Sequence, residues 1–158
     1  MAVAYDGSES AGAALEAAVE LFPGRRLLVI SVWEPGLAMA MAPLSDPIGV
    51  SNMAPSAEEM RVTDEVQQRH AVDIARDGVG LVHELGAEAE AVPVADDRGV
   101  AVTILQTAAS GGVCAVVVGS RGRGRMKTRL FGSTTQHLLS HSPLPIVVVR
   151  ERPDAHAG

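Results

Sequence analysis

The sequence predicts a single α/β domain in which four helices flank a doubly wound sheet of five parallel strands. Short apolar runs alternate along the chain with segments of helical periodicity, which is the order that parallel sheets produce. Runs such as residues 27–33 and 113–118 are apolar almost throughout, as expected for strands buried on both faces. The chain has 158 residues, 47% of them apolar and 20% charged, so it can bury a core and is neither disordered nor fibrous.

The first half of the chain supplies two strands and two helices. Residues 2–5 are the first predicted strand, and a turn and a helix that ends at a Pro-Gly pair follow it. Residues 27–33 are the second strand. Residues 34–56 are rich in proline and methionine and predict a long mobile loop. An amphipathic helix is predicted at residues 57–85, with apolar positions at Val62, Val66, Ile74 and Leu81.

The second half repeats the alternation. Residues 89–94 are the third predicted strand, and the third helix, with Ile104 on its apolar face, ends at two glycines. The fourth strand, the apolar run described above, leads into a glycine-rich loop. Residues 134–140 are the fourth helix, and residues 145–149 are the fifth strand. The pattern therefore predicts one sheet and no second domain.

Composition restricts the setting in which the protein works. The domain is expected to span residues 1–150, and residues 151–158 form a polar tail. No apolar run reaches 18 residues and the chain start does not resemble a secretory signal, so we expect neither a membrane span nor export. Cys114 stands alone and lies within a predicted strand, which favours a core thiol. A cytoplasmic protein is expected, and its net charge of −6 argues against nucleic acid as a partner.

The glycine-rich loop after the fourth strand is the most informative stretch. Gly119 and Gly122 would let the backbone approach a ligand closely, because glycine has no Cβ. Gly132 and Ser133 open the last helix, whose free N–H groups and positive dipole end suit phosphate. Basic residues concentrate between these pairs, at Arg121, Arg123, Arg125, Lys127 and Arg129. The stretch predicts a polyphosphate site, and a glycine-rich surface turn without a ligand is the alternative.

The loop fits neither of two common phosphate-binding patterns. A P-loop requires Gly-Lys followed by Ser or Thr, but Gly124 is followed by Arg125 and Met126. The dinucleotide pattern G-x-G-x-x-G also fails, because Lys127 stands where the last glycine belongs.

The loop instead resembles the ATP-binding signature of the universal stress protein family, G-x2-G-x9-G-[S/T]. Gly119, Gly122, Gly132 and Ser133 match its fixed positions. The opening V-A-Y-D-G-S-E-S is similar to the family's first strand and turn, and H-S-P-L-P-I-V-V-V-R is similar to its last strand. The resemblance covers nearly the whole chain, although the first strand is short and the turn after the third strand departs from the family pattern.

The resemblance implies a Rossmann-like fold with strand order 3-2-1-4-5, a homodimer and an ATP site, with Mg²⁺ accompanying the nucleotide. The implied adenine and ribose side comprises Ala4, Tyr5 and Asp6, with the backbone of Val32 against the adenine. By the same resemblance, Val118, Gly119 and Gly122 would take the ribose and first phosphates, and Gly132, Ser133 and Thr134 would hold the outer phosphates. Arg121 and Arg123 of the basic loop complete the predicted site. The dimer is expected to form through the edge strand at residues 145–149, since an unpaired apolar edge tends to find a partner strand.

Two further groups of residues suggest other functions. His137 and His141 have the i, i+4 spacing of a metal pair, but no third ligand is suggested nearby, which favours surface histidines. Asp96 and Asp97 after the third strand could suggest a receiver-type phosphoacceptor. The partner lysine expected after the fifth strand is absent, since Arg150 stands there.

The sequence thus predicts a nucleotide-dependent regulator that binds ATP, with three functional classes left open. The alternative from the enzyme class is a slow ATPase, or a phosphoryl or adenylyl transferase on the same scaffold. Asp6 is the one candidate that the motifs supply for a metal-positioning carboxylate, and no group that would orient a nucleophile is suggested. A nucleotide-free structural protein is the third class, disfavoured by the intact signature.

Overall fold

A computed structural model of the protein describes residues 1–36, 56–122 and 130–150, and these form one five-stranded parallel sheet with four helices. The strands are β1 (Ala2–Ala4), β2 (Leu27–Trp33), β3 (Ala89–Ala95), β4 (Val116–Gly119) and β5 (Ile146–Val149). The helices are α1 (Glu9–Leu21), α2 (Ala57–Glu84), α3 (Val100–Ser110) and α4 (Ser133–His141). The strand order is β3-β2-β1-β4-β5, so the predicted fold and order are confirmed.

The sheet separates two cores. On one face, Val3 and Tyr5 of the central strand segment pack with Leu15 of α1 and Val82 of α2. On the other face, residues of α3 and α4 pack against the sheet, with these buried members: Ala2, Ile30, Ala101, Ile104, Ala108, Val116, Val118 and Leu138. Successive residues of each strand point to opposite faces, so each buried strand needs apolar residues at every position. This explains the continuous apolar runs.

The fourth strand begins three residues later than predicted. Gly112 has a φ of +61°, and Val113 donates its N–H to the Ala108 carbonyl at 3.3 Å, so the end of α3 occupies residues assigned to the strand. Cys114 consequently lies before β4 and is exposed, with its Sγ 3.3 Å from the Met1 Sδ. The prediction of a core thiol is therefore wrong.

Helix α2 is present as predicted, but its buried face is different. Val62, Val66 and Leu81 are 45%, 51% and 40% exposed. The residues that contact the core are mostly small and lie in the second half of the helix: Ala71, Ala75, Gly78 and Val82. Small side chains let this long helix approach the sheet closely. Of the four predicted apolar positions, Ile74 is the one that packs against the core.

The start of α2 shows why the helix begins at Ala57. The Ser56 hydroxyl accepts the Glu59 N–H at 3.2 Å, and a Glu59 carboxylate oxygen accepts the Ser56 N–H at 2.7 Å. This reciprocal pair forms a capping box. The hydrogen bonds from Ser56 also lower the pKa of Glu59 below its ordinary value.

Parts of three predicted segments lie outside the described residues. These are residues 37–55 of the predicted loop, residues 123–129 of the basic loop, and the tail at 151–158. Among the residues that the structure does describe, no helix is both long and apolar enough to cross a membrane.

Two glycines of α2 provide a matched test of this packing. A Cβ at Gly78 would lie 2.8 Å from both the Tyr5 ring and the Val29 Cγ1, whereas a Cβ at Gly80 would meet nothing within 4 Å. Both Ala substitutions gain the same helix propensity, about 1 kcal/mol, so their difference isolates the packing. We expect Gly80→Ala to raise the free energy of unfolding. The free energy of unfolding of Gly78→Ala should be about 1–3 kcal/mol lower than that of Gly80→Ala. Urea denaturation measures both; equal values would contradict the close contact.

Candidate functional site

The strand order creates a crevice at the carboxyl ends of β1 and β4. These strands are neighbours, and the chain continues from them into separate segments, α1 after β1 and the glycine-rich loop after β4. Such a switch point is where open parallel sheets bind ligands. A cavity of about 430 Å³ occupies this position, within the size range of small-molecule sites.

The cavity brings together eleven of the twelve predicted site residues. They come from the ends of β1, β2 and β4 and from the start of α4: Ala4, Tyr5, Asp6, Val32, Val118, Gly119, Arg121, Gly122, Gly132, Ser133 and Thr134. The twelfth, Arg123, lies outside the described residues. Sequence reasoning missed six further lining residues: Ala11, Ile30, Val100, Ile104, Phe131 and Thr135. The roles of these residues in binding remain predictions.

One side of the cavity is an apolar wall. Ile30 and Val32 of β2 face Val100 and Ile104 of α3, and all four belong to or pack against the core on that face of the sheet. Such a wall can contact a flat aromatic group without leaving polar atoms unsatisfied. Val100 and Ile104 escaped prediction because apolar residues at helical spacing indicate only a buried face.

Asp96 determines where α3 enters this wall. Its Oδ1 accepts the Gly99 N–H at 2.7 Å, the Arg98 N–H at 3.0 Å and the Thr103 hydroxyl at 2.8 Å. Gly99 has a φ of +105°, a backbone conformation that residues other than glycine rarely adopt. Asp96 therefore holds the first turn of the helix and places Val100 at the cavity, a role that accounts for it without a phosphoacceptor.

The backbone of Val32 faces the crevice. Leu28 donates its N–H to the Met1 carbonyl at 2.8 Å, and the Ile30 carbonyl accepts the Tyr5 N–H at 2.9 Å. Alternate residues of β2 thus direct their N–H and C=O groups towards β1, and Val32 continues this alternation. Because β1 has ended at that level, the Val32 groups face the cavity that follows it.

The fold restricts the three signature glycines to different degrees. A Cβ at Gly119 would lie 2.5 Å from the Ser10 Oγ and 2.7 Å from the Ser10 carbonyl carbon, so this glycine allows α1 to pack on β4. A Cβ at Gly122 would lie 2.8 Å from the Asp6 Oδ2. At Gly132 the nearest atoms, including the Gly122 N, are 3.7 Å or more away, so the fold itself leaves room there. Gly119 also lines the cavity, so the contact with Ser10 gives this glycine a structural role beside its predicted role in ligand approach.

The start of α4 is a set of backbone donors aimed at the cavity. Gly132 is the N-cap residue and makes no side-chain capping bond, and its own N–H donates to the Ser120 carbonyl at 2.9 Å. The first N–H groups of a helix have no partner within it and carry partial positive charge. The buried hydroxyl of Thr135 donates to the Gly119 carbonyl at 2.8 Å and so fixes the helix to the end of β4.

Tyr5 and Asp6 occupy the turn after β1. The Tyr5 ring is buried in the core next to α2. The residue nevertheless lines the cavity, so it does so on the side away from its ring. The Asp6 Oδ1 accepts the Ser8 N–H at 2.9 Å, and the Ser8 hydroxyl accepts the Ala11 N–H at 3.2 Å. The carboxylate thus stabilises the turn that starts α1 while its Oδ2 lies against Gly122.

The two histidines of α4 lie on the surface. Their rings stack with centroids 4.2 Å apart, and the His141 Nδ1 is 3.1 Å from the His137 carbonyl oxygen. Within the described part of the chain no group of three or more His, Cys, Asp or Glu side chains could hold a metal ion.

Comparisons with known proteins agree with this architecture. The chain is similar to universal stress protein UspA from Lactobacillus plantarum, with a TM-score of 0.66, 19% identity, and coverage of 95% of this chain and 97% of that one. It is similar to the universal stress protein from Archaeoglobus fulgidus in complex with dAMP (TM-score 0.62, 18% identity, 94% of each chain). It is also similar to a universal stress protein family protein from Arabidopsis thaliana with AMP bound. The TM-score is 0.60 and the identity 18%, with coverage of 98% of this chain and 94% of that one.

These likenesses to solved structures show the fold, and no curated protein matches the sequence. Family membership rests on a separate comparison. The model of the universal stress protein family matches residues 1–150, which contain every described strand and helix. The protein therefore belongs to the universal stress protein family.

Proposed function

We propose that the protein binds ATP together with Mg²⁺ and acts in the cytoplasm as a nucleotide-dependent regulator of the stress response. The observation that carries the proposal is the cavity at the ends of β1 and β4, which has an apolar wall on one side and the donors of α4 on the other. An adenine nucleotide has the same division, with a flat base at one end and phosphates at the other. The bound AMP and dAMP of the two similar structures support this choice of ligand.

The base fits the side of the cavity formed by β2 and α3. Val32 would offer its backbone N–H and C=O to the edge of the adenine, while Val100 and Ile104 would contact the ring face. A neighbouring donor and acceptor on one residue match the ring nitrogen and exocyclic amine of adenine. Fixed backbone groups lose no side-chain entropy on binding, which favours affinity.

The phosphates fit the side formed by Gly122 and the first turn of α4. The N–H groups at Ser133 and Thr134 would donate to phosphate oxygens, and Arg121 would add positive charge at the mouth. Among the described residues that line the cavity, Asp6 is the carboxylate. Magnesium binds through one or two carboxylates and the phosphates themselves, so Asp6 is the residue that fits it.

Slow ATP hydrolysis or group transfer is the alternative function. The described lining contains no histidine or second carboxylate that could position a water molecule or an acceptor hydroxyl. Phosphoryl transfer depends on such positioning. We therefore expect turnover to be slow enough for ATP to stay intact during a binding measurement; chromatography of the recovered nucleotide tests this, and rapid conversion would favour the enzyme.

Nucleotide binding should be lost when Gly132 gains a branched side chain. The fold has room for a Cβ there, so Gly132→Val should remain folded while its methyl groups occupy the space of a phosphate. We expect wild-type protein to bind ATP by calorimetry, and the variant to bind at least about tenfold more weakly, a loss of about 1.4 kcal/mol.

The control for this variant is Gly80→Ala, which lies in α2 away from the cavity and has open space around it. Gly111→Ala would be unsuitable, because its Cβ would overlap the Leu28 Cδ1. Circular dichroism checks the fold of each variant. Wild-type affinity in folded Gly132→Val would place the nucleotide elsewhere.

Thr135 should affect nucleotide binding mainly through its hydrogen bond to Gly119, which fixes the start of α4. Thr135→Val keeps the shape of the side chain and removes the hydrogen bond to Gly119, whereas Thr135→Ser retains the donor. We expect Thr135→Val to lower the free energy of unfolding by about 1 kcal/mol and to weaken ATP binding, because the start of α4 is no longer fixed. Thr135→Ser should bind ATP more tightly than Thr135→Val in the same calorimetric titration. If Thr135→Val and Thr135→Ser bind ATP with equal affinity, the hydrogen bond to Gly119 does not position the site.

We propose that two copies pair through the free edge of β5, the strand predicted for this role. The strand is half-buried along its length, and Pro143 and Pro145 restrict pairing to its later residues. Because Ser120 donates its N–H to the Val149 carbonyl, alternate residues face β4 and Val148 directs its N–H to the open edge. Light scattering at micromolar concentration should give the mass of a dimer. Val148→Pro should give a folded monomer, since it removes an outward N–H and leaves the β4 hydrogen bonds intact.

A further inference from the structure

Arg150 follows the last residue of β5 and stands beside the end of β4. Val149 pairs with Gly119, and its carbonyl accepts the Ser120 N–H at 2.7 Å. The backbone at Arg150 is therefore next to the point where β4 passes into the residues that line the cavity. The glycine signature does not include this position, and the four residues before it are apolar residues of β5.

The side chain of Arg150 does not itself line the cavity, but it lies over a residue that does. Its guanidinium carbon lies 5.9 Å from the centroid of the Phe131 ring. Phe131 lines the cavity and directly precedes Gly132, the N-cap of α4. A guanidinium within about 6 Å of an aromatic ring is attracted to its face. Arg150 is thus held close to the mouth of the site although the residue is exposed.

This arrangement leaves the guanidinium able to bind an anion. Within residues 1–36, 56–122 and 130–150, no carboxylate forms an ion pair with Arg150. A guanidinium that lies against a ring still presents N–H groups along its edge, and its planar fork suits phosphate oxygens. The contact with Phe131 therefore positions a cation rather than neutralising it.

We propose that Arg150 contacts the outer phosphates of the bound nucleotide and makes the site prefer a triphosphate over a monophosphate. The inference rests on the proposed function, since it assigns a specificity residue to the same cavity. The phosphate of AMP would be held at Gly122 and the start of α4, inside the mouth. The two further phosphates of ATP would extend past Phe131 towards Arg150, where a positive charge favours them.

The test compares ATP and AMP on the same proteins by calorimetry, in one magnesium-containing buffer at about 0.1 M salt, where exposed charges are screened beyond about 10 Å. The variants are Arg150→Gln and Arg150→Lys. Arg25→Gln is the matched control, because it removes the same charge just before β2, at the amino ends of the strands and therefore away from the cavity at their carboxyl ends. Circular dichroism and thermal unfolding establish that each variant folds.

We expect Arg150→Gln to weaken ATP binding about tenfold, as for loss of one charge-assisted contact, and to change AMP binding less than about twofold. The ATP affinity of Arg150→Lys should lie between those of wild type and Arg150→Gln, because lysine keeps the charge but lacks the planar set of guanidinium donors. Arg25→Gln should match wild type for both nucleotides. Phe131→Leu removes the ring that holds the guanidinium, so it should also weaken ATP binding more than AMP binding.

Three results would overturn the proposal, and they are distinguishable. Equal weakening of ATP and AMP in Arg150→Gln would mean that the residue only supports Phe131 and the start of α4. No change for either nucleotide would mean that Arg150 does not reach the ligand. A wild-type protein that binds neither ATP nor AMP would overturn the proposed function itself, together with this inference.

Discussion

The contact between the end of β4 and the first turn of α1 is the constraint on which the site depends. Ser10 is 1% exposed and lies so close to Gly119 that no Cβ could fit between them. The Arg121 N–H then donates to the Ser10 Oγ at 3.3 Å, so the chain leaves β4 along a path defined by α1. The Gly119 carbonyl in turn accepts the hydroxyl of Thr135 and draws the start of α4 to the same point. A single glycine thus brings two helix N-termini to one strand end, and the crevice between them is the site.

Buried hydroxyls make these connections rigid. Among the described residues, the buried polar side chains are Ser10, Ser31, Thr103, Ser120 and Thr135. Three of them join the first turn of a helix to a strand end or to the loop after it: Ser10 for α1, Thr103 for α3 and Thr135 for α4. Breaking such a bond leaves a buried polar group unsatisfied, which costs about 1–3 kcal/mol. The walls of the cavity are therefore held in place before a ligand arrives, and less ordering remains to be done on binding.

Much of this arrangement could be read from the sequence, and the failures have physical causes. The continuous apolar runs predicted the parallel sheet, and the resemblance to the universal stress protein family implied eleven residues that share one cavity. The apolar wall from α3 was missed because Val100 and Ile104 look like any buried helix face; Asp96, three residues before Gly99, was the available signal. The predicted stripe of α2 was right at Ile74 but wrong at Val62, Val66 and Leu81, because alanine and glycine supply most of the close contact with the sheet. Cys114 was misplaced because the glycine turn that ends α3 extends into an apolar run.

The placement of donors also explains how a chain with a net charge of −6 can offer a site for a polyanion. Charges spread over the surface act weakly across the molecule, because salt screens them beyond about 10 Å at 0.1 M. The first residues of α4 line the cavity, so the partial charges of their backbone N–H groups act there at short range. These donors belong to the main chain, so a substitution by any residue other than proline leaves them in place. Evolution or design can therefore alter the site mainly through the residues that set the path of the backbone, such as Gly119, Gly132 and Thr135, and through cations at its mouth.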